Sequence, residues 1–192
     1  MDITKAEKVQ GSRRFLVRIS LSSLFAAFTA AGAFIAIPVG PVPIVLQNLF
    51  AVLSGLILGP VLGTAAVGLY LLAGILNFPV FAGGVGGIAR FAGPTGGYLL
   101  GYLFAAFTAG LIAGQPKSKT SLIRIIIAVI AGLLIIYIPG VTWLKVSRNM
   151  DLTRALIAGF IPFIIGDILK GIAAVLIAPR LRRIAADLLD KP

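Results

Sequence analysis

The chain has 192 residues, of which 59% are apolar and only 12% are charged, whereas soluble domains are roughly 45–50% apolar and about 25% charged. This composition excludes an ordinary water-soluble domain and indicates an integral membrane protein. The formal net charge is +11, and cysteine and histidine are both absent. These absences exclude disulfides, thiol nucleophiles, zinc fingers and histidine-based catalysis. The basic residues lie at the termini and in a few connections, so we expect them to contact a membrane surface and not nucleic acid.

Six apolar segments are predicted to cross the membrane, because a hydrocarbon core about 30 Å thick requires roughly 20 apolar residues per helix. They lie at about 15–37, 44–58, 61–76, 96–113, 122–138 and 152–178. The second and third are short for a crossing and are separated by Gly59 and Pro60, a pair that ends a helix. The sequence therefore predicts an all-α integral membrane protein, a six-helix bundle that forms a single domain over residues 1–192.

Charge sets the expected orientation of this bundle. With the amino terminus inside, 12 of the 17 Lys and Arg residues fall on cytoplasmic parts of the chain, as the positive-inside rule requires. Both termini are therefore predicted to be cytoplasmic, with short basic tails at about 1–14 and 180–192. The connection between the third and fourth helices then lies outside.

The sharpest signal is in the sixth segment, where Asp167 and Lys170 interrupt an apolar run. A charged side chain at the centre of a membrane helix costs about 2.5–3.5 kcal/mol on insertion scales. A spacing of three places both side chains on one helix face, so we expect them to point into the bundle or into a cavity. A binding site and an internal ion pair that orders the bundle are both compatible with this pattern.

A glycine-rich outer connection holds a single cation. This connection runs from Asn77 to Tyr98, and seven of its glycines lie between Gly83 and Gly97. It also contains aromatic side chains and Arg90. This composition allows tight turns and close backbone approach, which is typical of a lid. Arg90 is a candidate donor to a carboxylate through its forked guanidinium. Contact with a lipid headgroup is the alternative.

Other segments carry weaker patterns. Ser22, Ala26 and Ala30 form a stripe of small residues in the first segment, which allows close approach of a helix from a partner or from the same bundle. Candidate cavity groups that could equally be satisfied buried polar side chains are Gln47, Asn48, Tyr70 and Tyr137. The sequence has no G-x-x-x-x-G-K-[ST] motif, so we expect no ATPase of its own. Because the segments contain one carboxylate, enzymatic hydrolysis is not expected.

Four motifs occur in a distinctive order: PVPIVLQ at 41–47, FPVFAGG at 78–84, GPTGGY at 93–98 and GDILK at 166–170. This arrangement closely resembles the BioY family, the biotin-binding S components of energy-coupling factor (ECF) transporters. The resemblance extends over nearly the whole chain after about Arg14.

The resemblance implies a six-helix bundle in a bacterial or archaeal cell membrane that captures biotin from outside. Its implied partners are a transmembrane coupling protein and two cytoplasmic ATPases, with biotin as transported ligand and no cofactor. Asp167 would accept ureido N–H bonds, and Lys170 or Asn77 would donate to the ureido carbonyl. Arg90 would hold the tail carboxylate. The remaining implied residues are Tyr98, Tyr137 and Gln47 in the cavity, and Ala26 and Ala30 at the docking face of the coupling protein.

Two other functions stay open on the sequence. The same architecture could recognise a different vitamin. A stand-alone proton-coupled carrier or channel is the second alternative, since an Asp/Lys pair can also relay protons.

Overall fold

The computed structural model describes residues 3–117 and 120–190. These ranges contain eight α-helices, a short 3-10 helix at Ile161–Phe163 and one antiparallel pair of two-residue strands. The helices are α1 (Ile3–Phe34), α2 (Gln47–Ile75), α3 (Ala89–Ala92), α4 (Gly96–Ala113), α5 (Leu122–Ile135), α6 (Tyr137–Ser147), α7 (Leu152–Gly159) and α8 (Ile164–Asp190), and the strands are β1 (Ala36–Ile37) and β2 (Ile44–Val45). By length and composition, five stretches could cross a membrane: 10–34, 47–75, 96–113, 122–147 and 152–189.

Helix α2 is not straight but folds back on itself at Gly59. This glycine has φ 82° and ψ 177°, outside the helical region, and Pro60 follows at the first position of the next helical limb, where its missing N–H costs little. Ser54 Oγ donates to the carbonyl of Gly63 at 3.1 Å, although nine residues of straight helix would separate them by about 13 Å.

The side chains of Gln47 and Tyr70, 23 residues apart, are also hydrogen-bonded. They are nearly equidistant from Gly59, so the two limbs, 47–58 and 60–75, run antiparallel. The predicted break at Gly59 and Pro60 is thus confirmed, and the limbs correspond to the predicted second and third segments. Residues 3–117 and 120–190 therefore form six long helical arms in a predominantly helical fold.

Two predicted segment boundaries were wrong, and two helices extend into the basic tails. The described part of the basic tail at 1–14 belongs to α1, and α8 continues to Asp190, because Lys, Arg, Ala and Leu favour a helix. The fifth segment continues through α6 to Ser147. The sixth is interrupted at Ile161–Phe163, where Pro162 cannot donate a backbone hydrogen bond.

The bundle exposes apolar side chains on its outer surface. Ile165 is 75% exposed, Leu176 73% and Val61 70%, while small residues such as Ala105 and Ala109 are fully buried between helices. A surface of this kind is stable against hydrocarbon but not against water. Close packing of small residues inside and large aliphatic residues outside is what a membrane bundle requires.

Arg182 clamps the helix ends at the end of the bundle that contains the Gly59 turn. Its side chain is only 1% exposed, although it lies in the stretch predicted to form a basic cytoplasmic tail. The guanidinium has five donors, and the ends of helices present unpaired carbonyls with partial negative charge. It donates to the carbonyls of Leu56, Ala113 (3.1 Å), Gly114 (3.1 Å) and Gln115 (2.8 Å) and to Thr120 Oγ1 (3.1 Å).

We predict that Arg182→Met lowers the free energy of unfolding by about 3 kcal/mol or more, since each buried acceptor left without a donor costs about 1–3 kcal/mol. The measurement is detergent-solubilised unfolding followed by the fluorescence of Trp143. Arg180→Met is the matched control, because Arg180 is exposed on the same helix. Equal stability of the two variants would contradict the clamp.

Candidate functional site

A cavity of about 360 Å³ lies at the opposite end of the bundle, where α2, α4 and α8 begin. This volume is within the range of small-molecule sites. Its walls combine the β1–β2 connection, the glycine-rich loop and the inner faces of the helices. The polar or charged side chains in its lining are Gln47, Asn48, Arg90, Thr95, Tyr98, Tyr102, Tyr137 and Lys170.

The first two turns of helix α8 place their two charged residues inward. Asp167 and Lys170 are 7% and 6% exposed, while their neighbours Ile168 and Leu169 are 57% and 64% exposed. The spacing of three therefore selects the interior face, as predicted. Lys170 Nζ lies 2.9 Å from Asp167 Oδ1 in a buried ion pair. Such a pair is tolerated in an apolar interior only when further hydrogen bonds satisfy both ions.

Two residues from distant parts of the chain complete this network. Asn48 Nδ2 donates to Asp167 Oδ1 at 2.8 Å, and the Tyr137 hydroxyl donates to Asp167 Oδ2. With Lys170, the carboxylate thus accepts three hydrogen bonds and holds the first turn of α2, the start of α6 and α8 together. Lys170 keeps further N–H donors beyond the one given to Asp167. Because Lys170 lines the cavity, these donors are available to a ligand.

The GPTGGY motif at 93–98 positions an aromatic side chain in the wall of the cavity. A Cβ on Gly97 would lie 2.2 Å from the Pro139 carbonyl oxygen, so only glycine allows α4 to approach α6 this closely. Tyr98 then donates its hydroxyl to the Gly159 carbonyl at 2.7 Å. Its ring meets that of Tyr137 edge-on, with centroids 6.2 Å apart. Tyr98 therefore forms part of the aromatic wall of the cavity.

The connection between α1 and α2 covers another side of the cavity. Ala36 pairs with Val45 and Ile37 with Ile44, which closes a short hairpin. Its prolines Pro38, Pro41 and Pro43 line the cavity. Proline restricts φ and cannot donate a backbone hydrogen bond, so this connection is stiff and apolar.

The glycine-rich loop is packed onto the bundle by Phe81. This ring is 2% exposed and contacts Tyr70 and Phe91 edge-on, with centroids 5.6 and 6.0 Å apart. Gly83 and Gly84 have positive φ in the turn between Phe81 and its bridge partner Val85. The loop is thus an ordered cover with its own apolar anchor.

Arg90 lies in α3, on the same loop. Its Nη2 donates to the Ala82 carbonyl at 3.2 Å, and the half-buried side chain lines the cavity. One contact leaves several guanidinium donors for an anion. No acidic side chain appears among the described cavity residues, so a carboxylate ligand would be attracted here.

Not every predicted residue lies at the cavity. Asp167 is absent from its described lining and acts behind Lys170 and Tyr137. Asn77 is exposed and has φ 73°; its N–H donates to the Gly74 carbonyl, which ends α2 as asparagine commonly does. Ala26 and Ala30 are half-buried and pack against the bundle's own core.

One cavity residue was not predicted, and one predicted cavity group has a partner that was not foreseen. Asn48, a predicted cavity group, lines the cavity, but its partnership with Asp167 spans 119 residues, which no local pattern predicts. Tyr102 lines the cavity and follows Tyr98 by four positions. That spacing places both rings on one helix face, so it was a usable signal.

A second cavity of about 540 Å³ lies between α5 and α8. Its lining is aliphatic except for Tyr137, Phe160 and Asp167, and it is rimmed by exposed residues such as Ile130 and Ile172. Tyr137 and Asp167 therefore stand between this lateral opening and the first cavity. Their hydrogen bond forms part of the partition.

The chain is similar to known proteins over most of its length. The chain is 46% identical over 164 residues to a probable biotin transporter BioY of Pyrococcus horikoshii, covering 85% of this chain and 95% of the relative. It is 42% identical over 166 residues to the biotin transporter BioY of Thermotoga maritima, covering 86% and 96%. The crystal structure of the S-component for biotin from an ECF-type ABC transporter matches with a TM-score of 0.79 and 34% identity over 93% of both chains.

The family model described as the BioY family matches residues 5–187 of this chain. The match includes all the residues that line the cavity. The predicted family resemblance is confirmed: the chain belongs to the BioY family.

Proposed function

We propose that this chain is the biotin-binding S component of an ECF-type importer in a cell membrane. The observation that carries the proposal is the cavity with an inward-facing Lys170 backed by the Asp167 carboxylate. Relatives bearing the name biotin transporter, one from Pyrococcus horikoshii and one from Thermotoga maritima, support it. The likeness to the S-component for biotin supports it further.

The chemistry of biotin fits the lining. Biotin has a ureido ring with two N–H donors and a carbonyl, an apolar thioether ring and a carboxylate tail. The aromatic and proline side chains suit the thioether ring, while the few polar groups can fix orientation. Arg90 and Lys170 belong to different elements, the glycine-rich loop and α8, so they can engage opposite ends of an elongated ligand.

In this proposal, Lys170 donates to the ureido carbonyl from its unused N–H groups. Asp167 fixes the Lys170 ammonium through the 2.9 Å contact and accepts ureido N–H bonds when the Tyr137 hydroxyl moves off Oδ2. Gln47, Tyr98 and Tyr137 complete the cavity. Asn77 reaches the ligand only if the loop closes further, because its side chain is exposed here.

We predict that Asp167→Asn weakens biotin binding at least tenfold. The amide cannot hold Lys170 as a carboxylate does, and a buried hydrogen bond to a charged group contributes about 1.5–3 kcal/mol. The measurement is calorimetric titration of the purified protein with biotin, and with thiamine and riboflavin to test the choice of vitamin. Asp151→Asn is the control, since Asp151 is exposed. An affinity for biotin equal to that of the parent in Asp167→Asn would show that Asp167 does not contribute to binding.

We predict that Arg90→Met weakens binding of biotin about tenfold but changes binding of biotin methyl ester less than twofold. The guanidinium recognises the carboxylate through charge-assisted hydrogen bonds, and the ester lacks that charge. Competition against labelled biotin measures both ligands. Arg148→Met on an exposed arginine serves as control. An equal loss for acid and ester would show that Arg90 supports the loop and does not bind the tail.

The proposed orientation puts the cavity outside the cell. The Gly59 turn and the α4–α5 connection lie at the end remote from the cavity, where Lys117, Arg124 and Arg182 also lie. Basic residues are retained on the cytoplasmic side. Both termini are then cytoplasmic, and the glycine-rich loop faces the medium that supplies biotin.

Transport requires an energy source, which we assign to a transmembrane coupling protein with two ATPases. The proposed docking face is the small-residue side of α1, formed by Ala26 and Ala30 with the exposed Ala27 and Ala31 next to them. Small side chains let a partner helix approach closely in lipid. Since Ala26 and Ala30 also contact this chain's own core, the exposed pair provides the cleaner test.

We predict that Ala27→Leu with Ala31→Leu abolishes co-purification of the coupling protein and ATPases and leaves biotin affinity unchanged, because the added side chains hold the partner helix away. Affinity capture of the co-expressed complex measures this. The control, Leu111→Ile, changes a lipid-exposed residue of α4. Retention of the full complex by the double variant would place docking elsewhere.

A further inference from the structure

Tyr102 carries a polar atom that the fold leaves unused. The residue is 5% exposed and lines the cavity. The hydroxyls of Tyr70, Tyr98 and Tyr137 each have a hydrogen-bond partner. The Tyr102 hydroxyl has none among the described residues, and it is not sealed inside the protein, where every described polar side-chain atom is paired. It therefore faces the open space of the cavity.

The Tyr102 side chain lines the same cavity as Lys170, the cavity-facing member of the Asp167–Lys170 pair. Tyr102 lies one helical turn after Tyr98 on α4, and both side chains line the cavity. Lys170, bonded to the Asp167 carboxylate, also lines the cavity. The unused hydroxyl and the unused Lys170 donors thus belong to one region of the cavity, while Arg90 approaches it from the glycine-rich loop.

A polar group that faces a cavity without a protein partner is available to a ligand, because the large majority of polar groups in a protein interior find a hydrogen-bond partner. The Tyr102 hydroxyl makes no hydrogen bond among the described residues, and α4 holds the residue in the packed core. An acceptor supplied by the ligand accounts for this arrangement. A carbonyl oxygen has two lone pairs and can accept from two donors at once.

We infer that the Tyr102 hydroxyl and the Lys170 ammonium donate together to the ureido carbonyl oxygen of biotin, which makes Tyr102 a specificity-determining residue of the site. This inference rests on the proposed biotin-binding function. It assigns the ureido end to the Asp167 side of the cavity and the carboxylate tail to Arg90. A site built to donate two hydrogen bonds discriminates against analogues with a weaker acceptor.

The test is calorimetric titration of the parent and of Tyr102→Phe with biotin, biotin methyl ester and 2-thiobiotin, in which sulfur replaces the ureido oxygen. We expect Tyr102→Phe to weaken binding of biotin and of the ester about fivefold each, which corresponds to one neutral hydrogen bond. With 2-thiobiotin, a poor acceptor, the variant should lose less than twofold. Thr142→Val, which removes an exposed hydroxyl, should bind biotin like the parent.

The thermal stability of the ligand-free variants separates binding from folding. Tyr102→Phe should melt within about a degree of the parent, because no partner loses a bond, whereas Tyr98→Phe should melt lower because it leaves the Gly159 carbonyl unpaired. Unchanged biotin affinity in Tyr102→Phe, while the parent binds biotin tightly, would overturn the inference alone. Equal losses for biotin and 2-thiobiotin would overturn the ureido assignment. A parent that does not bind biotin would overturn the proposed function and this inference together.

Discussion

A carboxylate and an ammonium have to be kept in an apolar interior, and the rest of this structure depends on how that is achieved. Desolvation of two ions can exceed their mutual attraction unless additional hydrogen bonds satisfy them. Here Asp167 receives donors from Lys170, Asn48 and Tyr137. Because these donors come from α2, α6 and α8, the network also fixes the positions of three helices around the cavity.

Hydrogen bonds within the protein satisfy Asp167 more fully than Lys170. Asp167 has a donor at both oxygens, but Lys170 has one acceptor among the described residues and lines the cavity. The cavity is therefore a place where a neutral acceptor gains a hydrogen bond from a charged donor without neutralising the carboxylate. The ureido carbonyl of biotin has this character, which links the energetics of the pair to the proposed ligand.

The two ends of the bundle use buried charge differently. At the cavity end, donors are left open toward the ligand. At the other end, Arg182 donates hydrogen bonds to carbonyls near helix ends and to the Thr120 hydroxyl. These bonds hold α8 against the Gly59 turn and the end of α4. A fold that is closed at one end and receptive at the other is suited to capture a solute from one side of a membrane.

Local sequence rules predicted features that depend on neighbours in the chain. The break at Gly59 and Pro60 follows from proline and glycine backbone preferences, and the inward direction of Asp167 and Lys170 follows from their spacing on one helix. Features set by contacts between distant segments were not predicted. Asn48 reaches Asp167 across 119 residues, and Arg182 turns inward because carbonyls of α2 and of the C-terminal end of α4 meet there with the Thr120 hydroxyl. The basic composition around Arg182 indicated only a cytoplasmic tail.

The most direct test of the central claim is an experimental structure of this chain with biotin bound in a lipid environment. The account predicts biotin in the cavity between α2, α4 and α8, with its ureido oxygen within hydrogen-bond distance of Lys170 Nζ. Biotin bound in the lateral opening between α5 and α8, with Lys170 contacting only Asp167, would contradict it.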